Sequence, residues 1–398
     1  MQNDAKERLR CAAQSGSLHL FAMGAGTRRY DRPELDGLRF FAFALVLVFH
    51  LPDYLPLAAG RPWLADVLTA GAFGVPIFFL LSAFLITELL AREHEAQGQV
   101  RVAAFYGRRI LRIWPLYFMV LLGLTALEHW TPGVGPARPD QFAAFALFYA
   151  NWHIAFQGWV AGPVDPLWSI SVEEQFYLLV PILMALAGRR AITALAVAVL
   201  AASYGAIWLY AVHPTAGDNG QWTNGLVQGQ FFVAGCLLSN LLRGRVPSWR
   251  WPIRLALLAA GAAAWLVAVR VCGVKSWDPQ SPTPWHALAG WGLVLGGTVA
   301  IFLSTLGVDG TALPSALTYA GRISYGLYVF HALVLHLVFH QVLPALDGWR
   351  PGLSQTLAGR GGGLVAAILL LGLAAHLSYR FLETPFLRLK ARLAVVTR

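Results

Sequence analysis

Long apolar runs separated by short polar or basic stretches make up most of this chain. They fall near 37–57, 71–91, 113–130, 173–188, 191–212, 224–242, 253–270, 285–307, 316–341 and 361–381. A helix needs roughly 20 predominantly apolar residues to cross the hydrocarbon core of a bilayer. The pattern therefore predicts an all-α fold, a polytopic transmembrane helical bundle of about ten spans. One more apolar piece, 141–153, is too short to cross. No fixed-period repeat is visible, and no interval is long enough for a separate soluble domain. We divide the chain into a polar N-terminal extension of low order (1–34), one membrane domain (35–390) and a short tail (391–398).

Basic residues fix the predicted topology. Clusters lie at Arg101–Arg112, Arg189–Arg190, Arg243–Arg254 and Arg380–Arg398. Threading ten spans from inside places all of them on the cytoplasmic side, as the positive-inside rule demands. Both termini are then cytoplasmic. An eleventh crossing at 141–153 would send two of the clusters outside. That segment is accordingly read as half-inserted on the outer side, beside an outward-facing cavity near 141–172.

Composition agrees. Hydrophobic residues are 57% of the chain and charged residues 13%, about half the charged share of a soluble domain. In a soluble protein, 30 Lys+Arg against 20 Asp+Glu would raise nucleic-acid binding. Here cytoplasmic loops account for the excess, so the lipid bilayer is the predicted partner and no nucleic acid is. Cys11, Cys236 and Cys272 are odd in number and far apart. Neither a disulfide framework nor a metal site follows, and no dinucleotide, P-loop or zinc-protease motif is present.

Ionisable residues inside predicted spans are functional candidates. In "LDGLRFFAFALVLVFH" (35–50), eleven positions separate Arg39 from His50. At about 100° each they complete roughly three turns, so the two share one helix face about 16 Å apart. A neutral imidazole accepts a proton near neutral pH, which suits a general base activating a hydroxyl. In "FYGRRILRIWPLY" (105–117), Arg108, Arg109 and Arg112 gather at the cytoplasmic end of span three. Guanidinium forks match the phosphates of a polyphosphate; contact with lipid headgroups is the other reading.

Two further stretches carry polar groups. "PLWSISVEEQFYLLVP" (166–181) opens span five at the outer face. Ser169 or Ser171 is placed to cap this helix, with one of Glu173 and Glu174 in its first turn. The other carboxylate points about 100° away, into the cavity, where it can orient His50 or hold substrate hydroxyls. In "GRISYGLYVFHALVLHLVFH" (321–340), Tyr325, Tyr328 and His331 form a polar stripe. It either lines a substrate path or pairs between helices. His336 and His340 are read as helix-pairing residues.

Taken in order, "LDGLRFFAFALVLVFH", "FGVPIFFLLSAFLIT", "FYGRRILRIWPLYF", "LWSISVEEQFYLLVPIL", "ISYGLYVFH" and "SYRFLETPF" resemble the acyltransferase-3 family of integral membrane O-acyltransferases. The resemblance runs from about residue 33 to 388. It implies transfer of an acyl group, usually acetyl, from acyl-CoA to a sugar hydroxyl. The acceptor would be a carbohydrate, a cell-surface or exported polysaccharide or oligosaccharide, and the setting a bacterial inner membrane. Acetyl-CoA is the implied donor, and no metal is implied. The family's arginine–ten–histidine pattern maps onto Arg39 and His50. Its paired arginines map onto Arg109 and Arg112, and its tryptophan–serine–glutamate signature onto Trp168, Ser169 and Glu173. The usual serine–glycine of span two stands here as Ser82–Ala83. Some members carry a fused extracytoplasmic esterase-like domain, which this chain is expected to lack.

Joined, the two readings give catalytic roles to His50, Glu173 and Arg39. Arg108, Arg109 and Arg112 hold the phosphates of acyl-CoA. Trp168, Ser169, Glu174, Tyr325 and His331 contact the acceptor. Direct transfer and an acyl-histidine intermediate both fit. One alternative acceptor is a small secondary metabolite such as a macrolide sugar. An alternative of another class is a transporter of lipid-linked sugar, since intramembrane Arg, His and Glu also suit a proton relay. The missing internal repeat and the one-sided arginine cluster argue against transport.

Overall fold

The computed structural model describes residues 32–160, 162–213, 220–274, 283–310 and 313–392. Most of the N-terminal extension and of the tail, with Cys11, lie outside the described residues. Nine helical stretches among the described residues are long and apolar enough to cross a membrane.

Helix α1 (Pro33–His50) starts with Pro33, whose missing N–H costs nothing at a helix start. Glu34 and Asp36 sit in its first turn and His50 in its last, the arrangement the helix dipole favours. A short α2 (Pro62–Ala70) leads through a tight turn into α3 (Gly74–Gln97). The apolar window of this stretch is 83% buried, against 28% for three of the other spans. Helix α3 is thus the bundle's central post, enclosed by protein where the others meet lipid.

Helix α4 (Val102–Glu128) carries all three arginines of its motif, with Pro115 inside it. Two short helices follow, α5 (Pro139–Ala146) and α6 (Ala150–Gln157). At about 12 Å each they are too short to cross, which agrees with the absence of a crossing at 141–153. Between them Phe148 takes a left-handed conformation, φ 57°. Gln175 pins this corner: its amide donates to the Phe148 carbonyl and to Asn151 Oδ1, both at 2.8 Å.

Helix α7 (Trp168–Val212) is one 45-residue stretch broken at Gly188, φ 63° and ψ −167°. Only glycine takes that conformation cheaply. The halves coincide with the two spans expected at 173–188 and 191–212, which the structure carries as one of its nine candidate stretches. Just past the break, Arg189 lies 3.8 Å from the buried Glu88 and 3.7 Å from Glu95. The remaining spans begin with α8 (Gly225–Leu242), α9 (Trp251–Arg270) and α10 (Pro284–Thr305).

The run 316–341 is not one span. A short helix α11 (Ser315–Arg322) packs on α1, and the crossing helix α12 starts only at Ser324 (Ser324–His336). Ile323, at φ −90° and ψ 3°, separates them. The last span, α13 (Leu357–Leu377), ends in a π-helical segment, Ser378–Glu383, before α14 (Thr384–Arg392). A second π segment, Leu337–Val342, extends α12. Such widened turns re-aim side chains and recur at functional sites.

Helix α8 packs closely on α3 because Gly235 has no side chain. A Cβ there would sit 2.3 Å from the Leu80 carbonyl oxygen and 2.8 Å from the Ala83 methyl. Glycine across the interface thus accommodates the Ala83 methyl. Arg254 is a structural cation. Its guanidinium donates to the carbonyls of Trp249, Ser304, Leu306 and Pro247 at 2.9–3.0 Å. It thereby closes the end of α10. Arg254→Ala is expected to cost about 3 kcal/mol and to lower the thermal unfolding midpoint in nanodiscs. An unchanged midpoint would show that these bonds contribute nothing net.

Candidate active site

A cavity of about 770 Å³ runs between α1, α3, α4, the first half of α7, α12 and the Ser378–Glu383 segment. Val75 and Glu93 both line it. They lie eighteen residues apart on one helix, so the cavity extends about 27 Å along the bundle. Glu93 and Arg108 stand at one end. Phe78, Ser169 and Tyr328 close the other.

Five arginines line it: Arg39, Arg108, Arg109, Arg112 and Arg322. Four carboxylates face them: Asp36, Glu93, Glu173 and Glu383. The pairing is uneven. Arg39 Nη1 donates to Asp36 Oδ1 at 2.5 Å, and Arg108 Nη2 to Glu93 Oε2 at 2.9 Å. Arg109 and Arg112 have no ion-pair partner among the described residues. Arg109 is instead held by rings, its guanidinium 5.4 Å from the Phe105 centroid and 5.3 Å from that of Tyr177. Its Nε is buried without a hydrogen bond among the described residues. The spacing places Arg109 and Arg112 on adjacent turns of one helix. Guanidiniums at a cavity wall that are held in no ion pair are suited to receive an incoming anion.

Glu173 and Glu174 diverge as adjacent helical residues must. Glu173 lines the cavity and accepts the Tyr177 hydroxyl. Tyr177 OH lies 2.6 Å from Ser82 Oγ. Because the phenol proton goes to the carboxylate, Ser82 donates to Tyr177. Ser82 therefore belongs to the cavity wall. Glu174 turns away from the cavity and accepts from Trp114 Nε1 at 3.3 Å. Helix α7 begins at Trp168, with no side-chain cap, so Ser169 and Ser171 lie inside its first turn.

Ser169 Oγ lies 2.6 Å from Tyr328 OH and 3.0 Å from the Pro166 carbonyl oxygen. This seals the cavity's inner end, together with the Phe78 ring packed on Tyr328 at 5.7 Å. Trp168 does not reach the cavity; its ring packs against Phe79 and Trp222. Tyr325 lines the cavity and donates to the Ile113 carbonyl at 2.8 Å.

His50 lies beyond this seal, as the last residue of α1. His331 packs on Tyr328 at 5.5 Å between ring centroids, and His50 on His331 at 5.2 Å. The carboxylate beside His50 is Asp53, 3.7 Å from its Nδ1, whereas Glu173 sits among the arginines. Arg39 and His50 do occupy one helix, with Arg39 facing the cavity.

The sequence reading missed Asp36, Glu93, Tyr177, Tyr379 and Glu383, all of which line the cavity. Three of them carried a signal. Asp36 and Tyr177 stand three before Arg39 and four after Glu173, so each shares a helix face with a chosen residue. Glu383 is the acidic residue of "SYRFLETPF", inside the π segment.

These features define a membrane-embedded helical bundle with a charged internal cavity leading to paired histidines. The model of a family described as an acyltransferase domain matches residues 32–377. The chain belongs to this acyltransferase family. Two O-acetyltransferases OatA of Staphylococcus aureus, from strains NCTC 8325 / PS 47 and COL, are each 27% identical over 383 residues, or 89% of this chain. A further Staphylococcus aureus protein (strain COL), provisionally named an O-acetyltransferase, is 26% identical over 384 residues. The chain spans 57% of the length of these relatives. No solved structure matches.

Proposed function

We propose that this protein transfers an acetyl group from acetyl-CoA to a hydroxyl of a polysaccharide or oligosaccharide, in a bacterial inner membrane with both chain termini cytoplasmic. The observation that carries the reading is the pair Arg109 and Arg112. They stand without carboxylate partners among the described residues, in a cavity whose far wall backs onto His50 and His331. The donor's phosphates bind at Arg108, Arg109 and Arg112 from the cytoplasmic side. Its long thin arm lies along α3 and carries the thioester inward. Arg39 is about 16 Å from His50 along α1, farther than an arginine side chain reaches. It steers the arm or the phosphates rather than the reacting carbonyl.

At the inner end, His50 Nε2 takes the acceptor hydroxyl's proton. The hydroxyl oxygen bonds to the thioester carbon, the carbon–sulfur bond breaks, and the proton passes to the departing thiolate. Asp53 holds the imidazole by its Nδ1 side. Glu173 fixes Tyr177, on whose ring Arg109 rests, and so shapes the donor cavity. Tyr328 must swing off Ser169 for the thioester to reach His50. Tyr328→Phe is expected to change kcat several-fold while KM for acetyl-CoA stays constant; a change in KM alone would place Tyr328 in donor binding.

The test is a deletion strain of the native host, complemented with wild type or empty vector. Base-labile acyl esters on surface polysaccharide are measured by proton NMR before and after mild alkali. Esters are expected to vanish in the deletion and return with wild type. Unchanged esters in all strains would refute a surface-polysaccharide acceptor.

A further inference from the structure

Of the five arginines that line the cavity, Arg322 alone lies on neither α1 nor α4. It is the last residue of α11 and is exposed. Its guanidinium makes no hydrogen bond or ion pair among the described residues. Two contacts fix its place. Gly321 lies on the backbone of Asp36, where a Cβ would collide with the carbonyl oxygen, so α11 sits against the first turn of α1. Three residues past Arg322, Tyr325 donates to the Ile113 carbonyl at 2.8 Å, which sets Tyr325 level with Ile113 and Arg112 across the cavity. Tyr328, three residues further on, closes the inner end against Ser169. Arg322 therefore stands about one turn nearer the open end than Arg112, on the wall facing it. The cavity carboxylates are engaged elsewhere: Asp36 with Arg39, Glu93 with Arg108, Glu173 with Tyr177, and Glu383 with Ser378.

We propose that Arg322 receives the phosphomonoester on the ribose of CoA and makes the protein selective for a donor that carries it. The proposal deepens the acyltransferase reading and rests on it. CoA has a fixed order along its length: thioester, pantetheine arm, diphosphate, then the ribose with its monoester and the adenine. With the arm directed inward and the diphosphate on Arg109 and Arg112, the ribose falls towards the open end, where Arg322 stands. The monoester is a separate anion with close to two negative charges at neutral pH. It calls for a cation set apart from the pair that holds the diphosphate. A guanidinium fork on the facing wall meets two of its oxygens. Because Arg322 is exposed, water screens the pair, and its contribution is smaller than that of Arg109 or Arg112.

The experiment measures binding of CoA and of dephospho-CoA, which lacks only that phosphate, to the full chain in nanodiscs of zwitterionic lipid. Neither ligand carries an acyl group, so no acceptor and no turnover are involved. Wild type is expected to bind CoA roughly tenfold tighter than dephospho-CoA, the worth of about one charge-assisted hydrogen bond. In Arg322→Gln, CoA should fall to the affinity of dephospho-CoA. Dephospho-CoA itself should bind as before, which also shows that the variant is folded. Arg322→Glu should bind dephospho-CoA the better of the two. Arg112→Gln is expected to weaken both ligands and to leave their ratio intact. Equal affinities in wild type, or a ratio unchanged by Arg322→Gln, would overturn the proposal, while binding of CoA would leave the acyltransferase reading standing. If wild type binds neither ligand, both fall. A second set of nanodiscs contains anionic lipid. If that lipid abolishes the tenfold ratio, Arg322 holds a headgroup phosphate and the proposal fails; a ratio that persists assigns the site to the donor.

Discussion

His50→Ala is expected to lower CoA release from acetyl-CoA, in the presence of acceptor, by two to four orders of magnitude, about the contribution of a positioned general base. Donor affinity should hardly change. His50 is not among the residues lining the cavity, and the Tyr328 side chain and His331 stand between. A fall in kcat with constant KM for acetyl-CoA is therefore the signature, and it also shows that the variant is folded. Single-turnover labelling separates the two chemical routes. With labelled acetyl-CoA and no acceptor, a direct mechanism leaves wild type unlabelled, while an acyl-histidine route labels it at His50. A His50→Ala rate within a few-fold of wild type would remove His50 from the chemistry.

Arg109→Ala and Arg112→Ala should each raise KM for acetyl-CoA roughly ten- to hundredfold, since charge-assisted hydrogen bonds contribute about 1.5–3 kcal/mol. The other cavity arginines in the cluster are expected to matter less. Arg39 and Arg108 already have Asp36 and Glu93, so part of their charge is neutralised before any donor binds. Lysine at 109 should restore little, because the guanidinium also rests on Phe105 and Tyr177 and an ammonium cannot form the same fork. The deciding comparison uses acetyl-pantetheine, which lacks the nucleotide phosphates. Wild type and both variants should handle it alike. An equal loss with both donors would mean that the arginines support the bundle and bind no phosphate.

What the sequence determined by itself is whatever depends on one helix at a time. Apolar run length gave the candidate spans, including the two that lie either side of the break at Gly188. Helical periodicity put Arg39 and His50 on one rod, set Arg109 and Arg112 a turn apart, and sent Glu173 and Glu174 in different directions. Only the tertiary structure decided which helices meet. His331 is 281 positions from His50 in the chain, yet their ring centroids lie 5.2 Å apart. Ser82 finds Tyr177 across 95 residues, and Glu383 comes from the far end of the chain to face the arginines. It also moved Glu173 from His50 to the arginine cavity and put Asp53 in its place. The physical reason is the solvent. In water a helix marks its buried face with apolar residues; in lipid both faces are apolar, and helices associate through shape and small residues. The stretches Pro62–Gln97 and Asp165–Val212 are nearly equal in hydropathy, yet the first is 83% buried and the second 28%. Pairing in the bundle therefore rests on contacts such as Gly235 against Leu80 and Ala83, which no periodic pattern announces.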